Sequence, residues 1–185
     1  MNIIPTRLKE VRIIEPRVFG DPRGYFMETF QQQRYAEAGI AVPFVQDNIS
    51  YSRQHTLRGL HYQHPDGQDK LVQVMEGEIL DVAVDVRRGS PTFGRSATVI
   101  LSAENHRQLF IPRGFAHGFR VLSATALFMY KCSAFYAPEH EGGIIWNDPD
   151  LDIEWPADPP LLSDKDRTFA RLRDIPPNRL PSYEA

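Results

Sequence analysis

The stretch EILDVAVDV, residues 78–86, alternates strictly between two kinds of side chain. Successive side chains of a β-strand point to opposite faces, so a period of two predicts a strand rather than a helix. One face of this predicted strand is wholly apolar and consists of Leu80, Val82, Val84 and Val86. The opposite face carries the carboxylates of Asp81 and Asp85 beside Ile79 and Ala83. The strand therefore separates an apolar layer from a more polar one.

The same alternation recurs in ALFMYKCSAFY, residues 126–136. Twelve glycines and fifteen prolines divide the chain into short runs, and residues 45–136 read as strands between turns. The best helical candidate is FQQQRYAEA, residues 30–38, which Gly39 would end. The predicted fold class is all-β, a sandwich, jelly roll or barrel with few helices. A jelly roll with a polar interior would explain strand faces that mix carboxylates, tyrosines and small residues.

Length and composition predict one domain. A chain of 185 residues, of which 42% are hydrophobic, is long enough to bury a core of its own. We find no internal repeat and no low-complexity linker, so we predict a single domain over residues 1–185. Residues 149–185 contain repeated prolines and charges, and we expect them to lie along the surface of that domain with a few ordered turns.

Charge and cysteine content bear on partners and compartment. A formal net charge of -3 and a pI near 6.1, without a local basic patch, predict neither a nucleic-acid nor a membrane partner. No window approaches the ~18 consecutive apolar residues of a membrane span. The lone cysteine, Cys132, cannot form an internal disulfide, which fits a reducing compartment. We therefore expect a cytoplasmic protein.

A second stretch, LRGLHYQHPDGQDKLV, residues 57–72, concentrates polar side chains. One interpretation is a metal site that uses His61 and His64 with a later histidine, His117. Residues three apart on a strand face opposite sides, which separates His61 from His64 unless a turn intervenes. The ammonium of Lys70 would also repel a dication. We therefore predict no metal.

Acid–base chemistry is the second interpretation of this stretch. A neutral His61 could remove a C–H proton next to a carbonyl group, while Lys70 or Arg58 stabilises the charge that develops on the oxygen. A third interpretation makes His61 only a polar residue of a hairpin. Strict alternation places Arg58 and His61 on opposite faces, so both can line one cavity only if Gly59 permits a bulge.

Seven blocks of the chain, taken in order and spacing, resemble the dTDP-4-dehydrorhamnose 3,5-epimerase family. The blocks are DPRGYFMETF, FVQDNISYS, LRGLHYQ, KLVQVMEGEILDVAVDVRRGSPTFG, LSAENHRQLFIPRGFAHGF, FMYKCSAFYAPEHEGGIIWNDPDLDIEWP and LSDKD, between about residues 19 and 166. The resemblance implies a cupin-type double-stranded β-helix, or jelly roll, with a few short peripheral helices and without a metal or cofactor. It also implies a homodimer that exchanges N-terminal strands.

The resemblance implies an activity as well. Members of the family convert dTDP-4-dehydro-6-deoxy-D-glucose to dTDP-4-dehydro-L-rhamnose, for dTDP-L-rhamnose biosynthesis, by inverting C3 and C5 next to a C4 ketone. By similarity, His61 is the base and Asp166, rather than Asp164, hydrogen-bonds its imidazole. Tyr130 would return the proton from the opposite face, and Lys70 would stabilise the enolate oxygen. Without the resemblance, Tyr130 is simply an aromatic residue of a half-buried strand.

Further residues are assigned to substrate binding by the same resemblance: Phe19, Arg23, Phe26, Glu28, Gln46, Asn48, Arg58, His117 and Tyr136. Among them, Arg23 and Arg58 suit a diphosphate, because a guanidinium presents paired N–H donors. The aromatic members, Phe19, Phe26 and Tyr136, are expected to form apolar or stacking walls. Arg23 and Glu28 are expected to act in the site of a partner subunit.

Two alternatives and one departure accompany the resemblance. Some relatives invert only C3 or only C5, or isomerise another dTDP-4-keto-6-deoxy sugar, and a non-catalytic sugar-binding jelly roll is a different class. Where many relatives have a tryptophan, this chain has Ser96, which we expect to alter surface packing rather than chemistry. Neither a Gly-x-Gly-x-x-Gly fingerprint nor a P-loop occurs, so redox by a bound dinucleotide and NTP hydrolysis are unsupported.

Overall fold

The structure is a computed structural model that describes residues 1–184. Its strands are β1 (Asn2–Pro5), β2 (Arg12–Glu15), β3 (Val18–Asp21), β4 (Gly24–Met27), β5 (Gln46–Arg53), β6 (Leu57–Gln63), β7 (Lys70–Glu76), β8 (Glu78–Asp85), β9 (Ser96–Ser102), β10 (Gln108–Ile111), β11 (Phe115–Val121), β12 (Thr125–Cys132) and β13 (Glu141–Gly143). Its α-helices are α1 (Gln32–Glu37) and α2 (Asp164–Thr168). Short 3-10 turns cover Pro138–His140, Pro149–Leu151, Leu172–Asp174 and Pro177–Arg179. None of the helices within residues 1–184 has the length and apolar character needed to cross a membrane.

Two antiparallel sheets form the body of the fold. The first has the strand order β1-β2-β10-β7-β12-β5, and the second has the order β13-β6-β11-β8-β9. A core that includes Val72, Ile79, Ala83, Phe119 and Phe128 joins strands of both sheets. Two packed antiparallel sheets whose connections cross from one sheet to the other form a jelly roll. The predicted all-β fold class is therefore confirmed. The separate hairpin β3–β4 projects from the body with exposed side chains.

Strand β8 has both faces buried, although for different reasons. Its carboxylate face points into the interior between the sheets, where Asp81 and Asp85 are fully buried. Its apolar face belongs to a second core with residues of the C-terminal segment, namely Leu151, Leu172 and Leu180. The two faces of this alternating strand therefore have different surroundings. The carboxylate face lies in the interior between the sheets, and the C-terminal segment covers the apolar face.

The predicted boundaries of two elements differ from the observed ones. Helix α1 lies within the predicted range; Gln31 caps it by accepting a 2.6 Å hydrogen bond from the Arg34 backbone N–H, and Gly39 follows it with φ of +80°. Strand β12 ends at Cys132, so the prediction of a strand to residue 136 was wrong. Its two neighbours, β5 and β7, begin opposite Cys132, and no ladder partner continues beyond that point.

The environment of Ser96 also differs from the expectation. Ser96 is buried at the start of β9 rather than at the surface. Its hydroxyl accepts a 2.8 Å hydrogen bond from Arg7 Nη2 and donates a 3.2 Å one to the Leu151 carbonyl. The expectation of altered surface packing was therefore wrong, because the N-terminal and C-terminal segments both cover this strand end.

Arg120 joins the C-terminal segment to the second sheet. The side chain is 1% exposed, and its guanidinium donates to the carbonyl oxygens of Pro156 at 2.6 Å and Asp158 at 2.5 Å. Hydrogen bonds from a charged donor contribute about 1.5–3 kcal/mol each when buried. Because Arg120 is the buried end of this contact, its replacement should loosen the segment that carries α2.

We expect Arg120→Met to lower the free energy of unfolding by about 2 kcal/mol, since methionine fills the space but donates no hydrogen bond. Urea titration followed by circular dichroism measures the change. Arg95→Met, at an exposed position, serves as the control and should stay within about 0.5 kcal/mol of wild type. Equal stabilities of the two variants would contradict the anchoring role.

Candidate active site

A cleft with two lobes opens between the sheets. One lobe has a volume of about 450 Å³ and the other a volume of about 320 Å³. Three side chains line both lobes: His61 from β6, Lys70 from β7 and Tyr130 from β12. The two sheets thus deliver a histidine, a lysine and a tyrosine to the junction of the lobes.

A bulge in β6 turns His61 toward the cleft. Two residues of β6, Gly59 and Leu60, lie opposite Gly118 alone between the paired positions His61↔His117 and Arg58↔Phe119. Gly59 has φ of +115°, and a Cβ there would lie 2.5 Å from the Gly118 Cα. Only glycine fits this close approach. The extra residue brings Arg58 and His61 to the same cavity. This is the consequence that sequence analysis expected if Gly59 permitted a bulge.

His61 and Asp166 form a hydrogen-bonded pair. The distance between His61 Nε2 and Asp166 Oδ1 is 2.5 Å, and the Asp166 carboxyl is buried. Burial raises the pKa of Asp166, but the hydrogen bond and charge of His61, assisted by Ser163 and Lys165, hold it below its usual range. An ionised Asp166 can only accept, so the imidazole donates from Nε2, and the lone pair of a neutral ring is then on Nδ1.

The segment that carries Asp166 is fixed at both ends. On one side, the Leu161 N–H donates to the His55 carbonyl at 2.8 Å and the Leu161 carbonyl accepts from the Leu57 N–H at 2.9 Å. On the other side, the Ala170 carbonyl accepts from the Ile145 N–H at 2.9 Å. Between these anchors, Ser163 caps α2 and accepts from the Asp166 N–H at 3.2 Å. The carboxylate therefore reaches His61 from a well-anchored helix.

Tyr130 and Lys70 lie on neighbouring strands of the first sheet. In the β12–β7 register, Tyr130 lies opposite Val72 and Cys132 lies opposite Lys70. Burial raises the pKa of Tyr130, with the nearby Cys132 acting in the same direction and Arg58 opposing it. Burial lowers the pKa of Lys70, against the opposing effect of Cys132, Asp81 and Glu141. The phenol thus stays protonated at neutral pH and can act as a donor.

The predicted binding residues of strands β5, β6, β11 and the loop after β12 divide between the lobes. Gln46, Asn48 and Tyr136 line the smaller lobe, where Gln46 Nε2 donates to Asn48 Oδ1 at 3.0 Å. Arg58 and His117 line the larger lobe. Arg58 Nε donates to Ser52 Oγ at 3.1 Å, and Arg58 Nη2 donates to the Tyr51 carbonyl at 3.5 Å.

The predicted residues of the N-terminal hairpin lie outside this cleft. Phe19, Arg23 and Phe26 border a separate hollow on hairpin β3–β4. Arg23 forms an ion pair with Asp21 at 2.6 Å, and its side chain is 90% exposed. Glu28 accepts a 2.7 Å hydrogen bond from Arg34 instead of reaching the cleft. Within one chain, the structure does not bring these residues to His61.

Sequence reasoning missed two charged residues that line the cleft. Glu141 and Lys165 line it and form an ion pair at 2.8 Å, and Tyr136 donates to Glu141 at 3.2 Å. Neither lies on a long alternating strand, so periodicity gives no signal for them. Sequence analysis placed Asp81 on the carboxylate face of its strand but did not identify it as the partner of His117, whose Nε2 lies 3.0 Å from both Asp81 oxygens. In residues 1–184, no three His, Cys, Asp or Glu side chains group closely enough to hold a metal ion.

The fold is a cupin-type jelly roll, and the protein is an enzyme of the isomerase class. The chain belongs to the dTDP-4-dehydrorhamnose 3,5-epimerase family, whose model matches residues 5–174.

The chain is similar to two curated relatives and to one solved structure. The chain is 58% identical to the dTDP-4-dehydrorhamnose 3,5-epimerase of Shigella flexneri over 168 residues, which cover 90% of this chain and 93% of the relative. It matches the crystal structure of a dTDP-6-deoxy-D-glucose-3,5-epimerase from Legionella pneumophila Philadelphia 1, in complex with dTDP-4-keto-L-rhamnose, with a TM-score of 0.97, 54% identity and coverage of 100% and 99%. It is also 41% identical to a dTDP-4-dehydro-6-deoxyglucose 3-epimerase from a Streptomyces species over 177 residues, covering 92% and 89%.

Proposed function

We propose that the chain inverts dTDP-4-dehydro-6-deoxy-D-glucose at C3 and C5 to give dTDP-4-dehydro-L-rhamnose. The observation that carries the proposal is the meeting of His61, Lys70 and Tyr130 at the junction of two lobes. A substrate with a sugar at one end and a nucleotide at the other requires two connected spaces. The reacting sugar would sit at the junction, within reach of all three side chains.

Proton removal falls to His61 in this proposal. Its Nδ1 lone pair is free to take a proton because Asp166 accepts the Nε2–H. As the imidazole becomes a cation, the carboxylate at 2.5 Å stabilises it. The C4 ketone acidifies the hydrogens at C3 and C5, so the same base can serve both centres in turn. The product of each removal is an enolate.

Lys70 would stabilise the negative charge of that enolate on the ketone oxygen. Burial disfavours the Lys70 ammonium, as the lowered pKa of this group indicates. A partly desolvated ammonium interacts more strongly with a developing oxyanion than a fully solvated one does. The interaction therefore grows as the charge forms, which is the requirement for catalysis rather than binding.

Tyr130 would deliver a proton to the opposite face of the sugar. It comes from the first sheet, whereas His61 comes from the second, so the two side chains approach the cleft from different layers. Transfer from the phenol to carbon completes the inversion, and solvent restores both groups for the second centre. Arg58 would meet the diphosphate, and Gln46, Asn48 and Tyr136 would meet other polar and aromatic parts of the substrate.

Incubation of the protein with this substrate in D2O, followed by proton NMR, tests the proposal. The expected result is deuterium at both C3 and C5 together with a product of inverted configuration. Deuterium at neither position would overturn the proposal in favour of a non-catalytic sugar-binding protein.

A second candidate is a single-centre epimerase. The 41% identity to the Streptomyces 3-epimerase favours it, because that relative bears a different activity name while sharing most of the chain. In the same NMR experiment, deuterium at C3 alone would support this candidate and contradict double inversion.

The sugar nucleotide and the single unpaired thiol, Cys132, both fit a reaction in the cytoplasm.

We further propose a homodimer in which hairpin β3–β4 enters the cleft of the partner. Hairpin residues such as Phe26, which is 69% exposed, and residues of edge strand β5 such as Ile49, which is 68% exposed, present more apolar surface than a monomer needs. The exposed guanidinium of Arg23 would then face the partner's diphosphate.

Subunit complementation tests this arrangement. We expect Arg23→Ala and His61→Ala to be nearly inactive alone, and their co-expressed mixture to recover about a quarter of wild-type activity. Half of the dimers would be mixed, and each mixed dimer would hold one intact site. Sedimentation equilibrium supplies the stoichiometry. A mixture as inactive as its parents would place Arg23 in its own subunit's site.

A further inference from the structure

We propose that Phe169 is a positioning residue that holds the imidazole of His61, and that Gly143 exists to make room for it. The ring centroids of Phe169 and His61 lie 5.6 Å apart, with the planes at 68° to each other. This is an edge-to-face contact of the kind that aromatic rings prefer. The inference rests on the proposed function, in which His61 is the base.

Gly143 provides the space that the ring occupies. It belongs to β13 and pairs with His61 in the β13–β6 register, so its side-chain position is next to that of the imidazole. A Cβ at residue 143 would lie 2.4 Å from both Cε2 and Cζ of Phe169. No side chain fits at that distance. The ring therefore fills the place of the missing side chain and packs on the histidine.

The contact completes the restraint on the imidazole. Asp166 fixes Nε2, but one hydrogen bond leaves the ring able to swing about that contact. Phe169 blocks this motion from a second direction, which keeps Nδ1 aimed at the junction of the lobes. A base must be held within a fraction of an ångström of its proton to act efficiently.

Phe169 is itself well placed for this task. It directly follows α2, the helix that carries Asp166, and the next residue, Ala170, is anchored to Ile145. Both restraints on His61 therefore come from one anchored segment. Phe169 does not line either lobe of the cleft, so it acts through His61 and not on the substrate.

Kinetics of Phe169→Ala and Phe169→Leu test the proposal. We expect Phe169→Ala to lower kcat about tenfold with KM changed less than about twofold, and to shift the acid limb of the pH–rate profile to higher pH. The shift arises because water reaches the exposed imidazole and favours its protonated form. Phe169→Leu, which keeps an apolar wall, should restore most of kcat. An unchanged pH profile and kcat in Phe169→Ala would overturn the proposal.

A compensating pair makes the test independent of a general loss of stability. Gly143→Ala should displace the ring and lower kcat, and the double variant Gly143→Ala/Phe169→Ala should be more active than Gly143→Ala alone, since the added methyl then has space. Additive losses in the double variant would contradict the proposal.

One measurement separates this proposal from the proposed function. NMR titration of the His61 imidazole in wild type and Phe169→Ala requires no turnover. A higher titration midpoint in the variant supports positioning even if the substrate proves to be another sugar. Identical midpoints would refute the positioning role even if both C3 and C5 exchange in D2O.

Discussion

His61→Ala should reduce kcat by about three orders of magnitude, so that deuterium incorporation at C3 and C5 falls below detection, because the variant lacks the proposed base. General-base contributions of about 10²–10⁴ set the scale. Affinity for dTDP should stay within about tenfold of wild type, since in the proposed function the imidazole meets the reacting sugar and not the nucleotide. Proton NMR in D2O and calorimetric titration with dTDP measure the two quantities.

The matched control for His61→Ala is a substitution of His55, which lies in the turn between β5 and β6. His55 has φ of +66° and does not line the cleft, and asparagine tolerates that backbone conformation. We expect His55→Asn to exchange both positions at nearly the wild-type rate. Full activity in His61→Ala would remove this residue from the mechanism.

Tyr130→Phe should separate proton exchange from inversion. His61 would still remove and return protons on its own face, so deuterium should enter the starting sugar with its configuration retained. Inversion should fall about 100-fold or more, because phenylalanine has no proton to deliver to the opposite face. Coupling constants in proton spectra distinguish the retained from the inverted sugar.

A tyrosine outside the cleft provides the comparison. Tyr51 lies on strand β5 and is 59% exposed. We expect the variant Tyr51→Phe to invert C3 and C5 at the wild-type rate. Inversion at an undiminished rate in Tyr130→Phe would show that water or another side chain supplies the proton.

Much of the fold could be predicted because alternating side chains along a strand show which face packs against which layer of the protein. The two faces of residues 78–86 anticipated a strand with an apolar side and a polar side, and both sides are buried as a jelly roll requires. Sequence analysis stated that Arg58 and His61 could share a cavity only with a bulge at Gly59, and the structure has a bulge there. These features are local, so the sequence of one segment suffices to predict them.

Contacts between distant segments could not be derived from alternation. Asp166 lies 105 residues from His61 along the chain, in a proline-rich segment without strand periodicity, and only the family resemblance pointed to it. The pairing of Asp81 with His117 joins two strands whose register the sequence does not specify. The burial of Ser96 depends on contacts with Arg7 and Leu151, which belong to the N-terminal and C-terminal segments. The roles of the site residues stay predictions until variants are measured.

The most direct test of the account is the protonation state of the His61 imidazole. Long-range ¹H–¹⁵N NMR of the histidine-labelled protein at pH 7.5, with His61 assigned by comparison with His61→Ala, should find a neutral ring with its proton on Nε2 and a bare Nδ1. Asp166→Asn should lose this preference, whereas Asp164→Asn should keep it. A ring that is cationic at this pH, or that carries its proton on Nδ1, would contradict the claim that an aspartate-oriented histidine is the base.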